Sequence, residues 1–520
     1  TIQNNAISKA NIGMTIQNDC QNINIIGNQI GSMTILNTVS LAGINFATGT
    51  GFTTSCDGFN VANNKIDGLI YTGTSSTFTY AFLFSNAING IVENNKVLNV
   101  VNSAGHNVAF RIAANEATPP RDLNLIIRNN SVSNVTVAAS NGNFYGFYNT
   151  YSQNVKILHN TINIGSSSVA PVAIGHRYQV GCLNYHVNNN IFVMNPSTTG
   201  GLKYMYYIDA TQAVTPFSNI NYNLYNLMTG ANFAFYIGVV QATLSDWTTA
   251  LGGGTADSDY NSIMKQPTFA SAGAPYLAGS VLADPQYLVP LHNDVETDID
   301  GEIRTVQNNL AGADILIPSE ILFSTNLPLF KEETAGITAL VYTITPQLGT
   351  TFNDGITRTP PTGDLPAMNY TWFFNNNEIQ TGVNNFIVNR NNLSIVNTNA
   401  ANHDGQYYCV VDFFGTYGVT NTSTLSIVNL PRPVLTSPAS GTQNVPITQV
   451  FSWGTVNTAL QYQIQVAYDE NFQNIIASNI VGTNSTSFTN LPYFADMFWR
   501  VRAIRNADTS LWSEVWTFKT

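Results

Sequence analysis

Charge is what this chain has least of. Of 520 residues, 19 are Lys or Arg and 30 are Asp or Glu, so charged residues make up 9 % where a soluble domain carries about a quarter. The net charge of -11 removes the basic footprint that a nucleic-acid binder needs. No apolar run approaches the roughly 18 residues that span a bilayer, so no membrane span is expected. Residue 1 opens neither a charged n-region nor an apolar h-region, and the chain is expected to begin partway through a longer polypeptide. Four cysteines (Cys20, Cys56, Cys182 and Cys409) are too few for a disulfide scaffold. Cys20 and Cys56 lie near one repeat length apart and either stack as a pair or remain buried thiols. The six histidines show no HxH or HExxH spacing, which argues against zinc.

What the chain has instead is asparagine, 68 residues of it, together with 44 % hydrophobic residues, enough for large cores. The length allows about three to five domains. One phrase recurs, an apolar residue, then Asn, then another apolar residue. It reads Ile2 to Asn5 and Ile7, Ile25 to Asn28 and Ile30, Val61 to Asn64 and Ile66, and Ile91 to Asn95 and Val97. Further copies centre on Asn130, Asn160, Asn190 and, more weakly, Asn223. From Asn28 the steps between copies are 36, 31, 35, 30, 30 and 33 residues. A second apolar phrase interleaves with the first, as in Tyr80-Ala-Phe82-Leu-Phe84, Val108-Ala-Phe110 and Tyr145-Gly-Phe147. Two strand phrases per period without helical spacing predict the turns of a parallel β-helix. Asn suits its corners, because it tolerates positive φ and its amides can hydrogen-bond from turn to turn.

After this region Ser245-Asp246-Trp247 through Gly252 predicts a short helix with a Ser or Asp cap. The run Thr297-Asp-Ile-Asp-Gly-Glu-Ile-Arg304, followed by Gly312-Ala-Asp314, resembles the closing segment of secreted right-handed parallel β-helix proteins. Those proteins occur in bacteria that export surface proteins by the type IX route. The resemblance covers roughly residues 1–317. It implies an extracellular, cell-surface location and contact with secretion and anchoring machinery.

Beyond Pro318, short alternating strands with Pro, Gly and Asn turns predict β-sandwiches. Residues 318–430 resemble an immunoglobulin-like domain through Trp372 and Asp404-Gly-Gln-Tyr407-Tyr-Cys409, with Tyr407 as its tyrosine corner. They depart from that pattern because Ala339 to Thr343 supplies no partner cysteine, and because the acidic residue directly precedes the glycine. Residues 431–520 resemble a fibronectin type III module through Trp453, Tyr462, Ile464, Trp499 and Val501. The fold class expected is therefore all-β: a right-handed parallel β-helix followed by two sandwiches.

Parallel β-helices commonly carry polysaccharide lyases and hydrolases, which need converging carboxylates or a base beside calcium-binding acids. Between residues 60 and 240 the acids are Asp67, Glu93, Glu116, Asp122 and Asp209, and they do not recur from turn to turn. Glu116 and Asp122 beside Arg111 form the best catalytic candidate, and a solvated loop with an ion pair is the plainer alternative. Arg121, Arg128, His176 and Arg177 are further basic candidates. Asp298, Asp300 and Glu302 alternate as calcium ligands would, yet a structural turn explains them too, so no cofactor is required.

The remaining candidate is a surface strip. If Phe82, Phe110, Phe147, Ile174, Tyr206 and Phe235 point inward, then Leu83, Arg111, Tyr148, Gly175, Tyr207 and Tyr236 point outward. Tyr151 and Tyr204 extend its edge. Such a strip offers rings for sugar faces, which makes Arg111, Tyr148, Tyr207 and Tyr236 candidate glycan contacts. The functional expectation is a surface adhesin or glycan-contacting protein. Its rivals are a lyase or hydrolase, or a purely structural part.

Overall fold

A computed structural model describes residues 1–520 apart from 9, 11, 18–19, 36–39, 48–55, 115–120, 139–141, 165–171, 198–200, 213, 256–257, 272–275 and 506–507. The chain forms two compact units. One holds Thr1–Ser319 and Thr350–Pro361, the other Glu320–Gly349 and Thr362–Thr520. The return of 350–361 to the first unit was not legible in the sequence. It is held by Arg358, whose guanidinium is buried against Asp314 and Asp354 and donates to the Leu277 carbonyl at 2.8 Å. Among the described residues no helix is long and apolar enough to cross a membrane.

The first unit is all-β, with three parallel sheets that successive strands visit in turn. Cys56–Ala62 lies in the first sheet, Lys65–Tyr71 in the second and Phe78–Ser85 in the third; Ala87–Glu93 then returns to the first. The third sheet ends in an antiparallel pair, Ala234–Tyr236 with Val239–Gln241. Val61, Ile66 and Phe82, one from each sheet, belong to a single apolar cluster that runs through the unit. On the inner side of the third sheet a continuous ring stack crosses Phe82, Phe110, Phe147, His176, Tyr206 and Trp247, with centroids 4.8–5.1 Å apart.

Between the first and second sheets a buried asparagine ladder links turn to turn. The Nδ2 of Asn28 donates to Asn64 Oδ1 at 2.9 Å, and the same bond joins Asn64 to Asn95, Asn95 to Asn130 and Asn130 to Asn160. It continues to Asn190 and Asn223 and starts at Asn5. Each Oδ1 also accepts the preceding ladder residue's backbone N–H, as Asn95 Oδ1 does from Asn64 at 3.0 Å. The ladder asparagines do not themselves take the left-handed conformation. The residue just before each one does: Asn4, Gly27, Asn63, Asn94, Asn129, His159, Asn189 and Tyr222 all have φ between 52° and 66°. Turning the corner and bridging the turns are thus split between neighbouring residues.

The short helix Leu244–Ala250 forms where expected, but its cap is Thr243. The Thr243 side chain accepts from the Asp246 backbone, and Asp246 reaches back to the Thr243 amide. Asp246 therefore completes a capping box rather than standing as the cap. Cys20 and Cys56 sit on adjoining turns, where the Asp57 amide donates to the Cys20 carbonyl at 2.8 Å, and both are thiols.

The second unit carries two antiparallel-rich sandwiches. In the immunoglobulin-like one, Gly405–Phe413 pairs with Asn369–Phe374 and Ser423–Val428, facing a sheet of Ala339–Thr343, Asn392–Val396 and Phe386–Asn389. Trp372 sits opposite Cys409 in register, and the Tyr407 hydroxyl donates to the His403 carbonyl at 2.8 Å, as a tyrosine corner does. Burial pushes the Cys409 thiol up to about 12, so it packs as an inert core group. Tyr407→Phe should lower the stability of this sandwich by about 1–2 kcal/mol in thermal unfolding, because a buried carbonyl loses its partner. In the fibronectin type III-like sandwich, Trp453, Tyr462, Ile464, Trp499 and Val501 share one core, as the alternation predicts, and Phe451 joins them.

Candidate surface strip and its neighbours

The outer face of the third sheet follows from strand register. One column runs Leu83, Arg111, Tyr148, Arg177, Tyr207 and Phe235. Arg111, Tyr148 and Tyr207 are therefore brought together as expected, but two positions differ. Arg177 replaces Gly175, because His176 rather than Ile174 fills the inner place. An imidazole stacks flat between Phe147 and Tyr206 as well as a phenyl would, and hydropathy alone does not mark it for the core. Phe235 replaces Tyr236, because the fully buried Ala234 faces inward and leaves room for Trp247 to stack on Tyr206. Tyr236 instead pairs with Ile208 and meets the edge of Trp247 at 5.7 Å.

Within the column, cations and rings alternate. The Arg111 guanidinium lies 4.2 Å from the Tyr148 ring centre, and Arg177 lies 5.1 Å from Tyr148 and 5.6 Å from Tyr207. Tyr207 then stacks on Phe235 at 4.8 Å. Arg111 donates to the Tyr148 carbonyl and the Thr150 hydroxyl, both at 2.9 Å, which fixes its head along the sheet. Arg177 faces Asp209 at 3.5 Å, and its Nε–H is buried without a partner. Burial lowers the Arg177 pKa, but Tyr148 and Asp209 outweigh it and the net movement is upward, so the charge is secure.

A second column, Tyr80, Val108, Tyr145, Ile174 and Tyr204, lies beside the first. Val108, Tyr145 and Ile174 are buried outside the main core, with Tyr80, Tyr148 and Tyr207 packed against them. Tyr145 and Tyr204 are thus buried, while Tyr80, Tyr148 and Tyr207 pack on this small apolar cluster and stay partly exposed. A cleft of about 220 Å³ beside Tyr204 is lined by Lys203, Met228, Thr229 and Asn232.

The other candidates are dispersed. Glu116 lies outside the described residues. Asp122 is exposed on the strand Arg121–Arg128 of the first sheet, whereas Arg111 is on the third, and the hydrogen bonds of Arg111 go to Tyr148, Thr150 and Ile112 rather than to Asp122. His176 is no basic group at neutral pH, since burial lowers its pKa to about 3. Arg128 is tied to Glu93 at 2.6 Å. Asp298 organises a turn: its Oδ1 accepts the Asp300 and Glu302 amides at 3.0 and 2.9 Å, and its Oδ2 accepts the Ile315 amide at 3.0 Å. Asp300 pairs with Lys96 at 2.7 Å.

Fold and site together define an all-β protein of stacked parallel sheets joined in sequence to immunoglobulin-like and fibronectin type III-like sandwiches. No protein-family model matches the chain, and no curated protein matches it. Solved structures that resemble part of it include domains A168–A170 of titin, with 15 % identity, 39 % of this chain and 65 % of that chain covered, and a TM-score of 0.20. Immunoglobulin domains 1–5 of sidekick-1 match with 11 % identity, 38 % of each chain and a TM-score of 0.25. The FN1–FN3 domains of chicken CNTN1 match with 15 % identity, 39 % of this chain, 66 % of that chain and a TM-score of 0.18. The chain spans 38–66 % of the length of these three, and likeness at this level carries no functional argument.

Proposed function

We propose that this chain is a secreted cell-surface protein that contacts glycans through the Arg111–Tyr148–Arg177–Tyr207 column. In this reading the three parallel sheets are the faces of a right-handed parallel β-helix over residues 1–317. Their regular strand order supports it, and the handedness follows from the rule for parallel crossovers. The sandwiches of residues 318–430, apart from the 350–361 return to the first unit, and of 431–520 act as a stalk, and export follows the type IX route that the closing segment resembles. The observation that carries the glycan reading is the alternation of guanidinium and phenol groups on adjoining strands, about 4.8 Å apart. Tyr148 and Tyr207, on alternate strands of the column, offer rings to the apolar faces of sugars, and the part-exposed guanidinium of Arg177 between them offers charge and donors to hydroxyls.

The test is a glycan array followed by titration of the best ligand. Tyr148→Ala and Arg177→Ala should each weaken binding about tenfold, roughly 1–1.5 kcal/mol. Tyr236→Ala, off the column, should bind as the parent does. A blank array with folded parent protein would remove the glycan reading and leave a structural part.

A further inference from the structure

Five carboxylates gather where the first unit closes: Asp298, Asp300, Glu302, Asp314 and Asp354. The charges act on one another, since Glu302 and Asp314 each feel Asp298, Asp300 and Asp354. Three cations face them. Lys96 pairs with Asp300 at 2.7 Å, Arg358 bridges Asp354 and Asp314, and the buried Arg304 acts on Asp298 and Asp314 without a direct ion pair to either. Arg304 spends its donors on Asn129, Asn309 and the carbonyls of Thr297, Leu310, Gly312 and Ala313. Two negative charges are left over in a region largely withdrawn from water.

The deficit falls on particular atoms. Both carboxylate oxygens of Glu302 are shielded from solvent and have no hydrogen-bond partner, and the same is true of Asp314 Oδ1 on a side chain only 3 % exposed. Unpaired buried carboxylate oxygens are costly unless a cation or proton meets them. One oxygen from each of Asp298, Glu302 and Asp314 lies within 4.8 Å of the other two. Oxygens around a calcium ion at 2.3–2.6 Å can stand up to about 5 Å apart, whereas magnesium at 2.0–2.1 Å draws them closer. Asp298 is preorganised by its three backbone donors, and its Oδ2 accepts one of them, so that oxygen keeps a lone pair.

We infer that Asp298, Glu302 and Asp314 hold one calcium ion that ties the Thr297–Arg304 turn to the Gly312–Asp314 segment. Asp300, the ligand that sequence alternation suggests, stays outside: its carboxylate pairs with Lys96 and is not one of the three whose oxygens converge, whereas Asp314 meets Arg358 through Oδ2 and keeps Oδ1 unpaired. Water supplies the rest of the oxygen shell.

The test uses the full chain, stripped with a chelator and titrated with calcium chloride by calorimetry at neutral pH. One ion should bind with a dissociation constant of about 10⁻⁴–10⁻³ M, the range of extracellular modules. The first unit's melting temperature should rise by several degrees with calcium and much less with magnesium. Glu302→Gln should weaken calcium binding at least tenfold, while Asp300→Asn keeps it. Absence of a calcium heat and of a melting shift in the parent would overturn the site, whatever the variants do. Full retention of binding by a folded Glu302→Gln protein would overturn it too, and a protonated Glu302 would then account for the unpaired oxygens.

Discussion

Asn64→Ala should destabilise the first unit by about 3–5 kcal/mol, whereas Asn63→Gly, one residue earlier, should change stability by less than about 0.5 kcal/mol. Asn64 makes both kinds of ladder bond in both directions. Its Nδ2 meets Asn95 Oδ1 at 3.0 Å and the Ile25 carbonyl at 2.9 Å, and its Oδ1 accepts the Asn28 amide and side chain, both at 2.9 Å. Alanine strands these partners in a dry corner, since Asn64 is 1 % exposed. Asn63 is exposed and serves only the left-handed backbone, φ 56°, which glycine adopts without strain. Asn63→Ala should cost about 1 kcal/mol for that conformation. Calorimetric unfolding of the three variants distinguishes the roles. Equal losses at both positions would mean that turn conformation, and not the amide ladder, holds the parallel strands together.

Acid should weaken the first unit through His176, and His176→Phe should blunt that effect. The imidazole is fully buried among Phe147, Tyr206, Phe192 and Tyr178, and burial alone sets its pKa at about 3 against 6.5 when unfolded. Its neutral form therefore contributes stability that is complete above pH 6.5. As pH falls from 6.5 toward 3 the unfolded chain takes up a proton that the folded one refuses, and stability drops by about 1 kcal/mol per pH unit. Phenylalanine keeps the ring stack but cannot protonate. At pH 7 the substitution should cost no more than about 1 kcal/mol, since Nε2 has no partner and Nδ1 meets only the Tyr178 hydroxyl at 3.3 Å. At pH 4.5 the variant should exceed the parent by about 1–2 kcal/mol. Parallel stability curves for the two proteins between pH 7 and 4.5 would show that His176 does not titrate on unfolding.

The ladder was readable because its bond needs the same side chain on every turn. An amide that both donates along the axis and accepts from it leaves one asparagine per period in the sequence, and Asn64, Asn95 and Asn130 stand in line as their spacing implies. The corner residue before each is less regular, since Asn, Gly, His and Tyr all occupy it, and its role emerges only from backbone angles. Trp372 and Tyr407 were equally legible, because a tyrosine corner is a local contact four residues long.

The outer strip was half legible. Hydrophobic phrases locate its strands, but the segments between them vary in length, and pairing register depends on which residue the core accepts. His176 passes for a polar residue in sequence and packs as an aromatic; Ala234 passes for filler and makes room for Trp247. The sequence by itself determined the repeating strands, the amide ladder and the sandwich cores, since each rests on short-range periodicity. Tertiary structure alone decided that Arg177 joins Tyr148, that Asp314 meets Glu302, and that Arg358 returns from residue 358 to the first unit. Those pairings follow from how separate segments fill one space, and no local pattern records that.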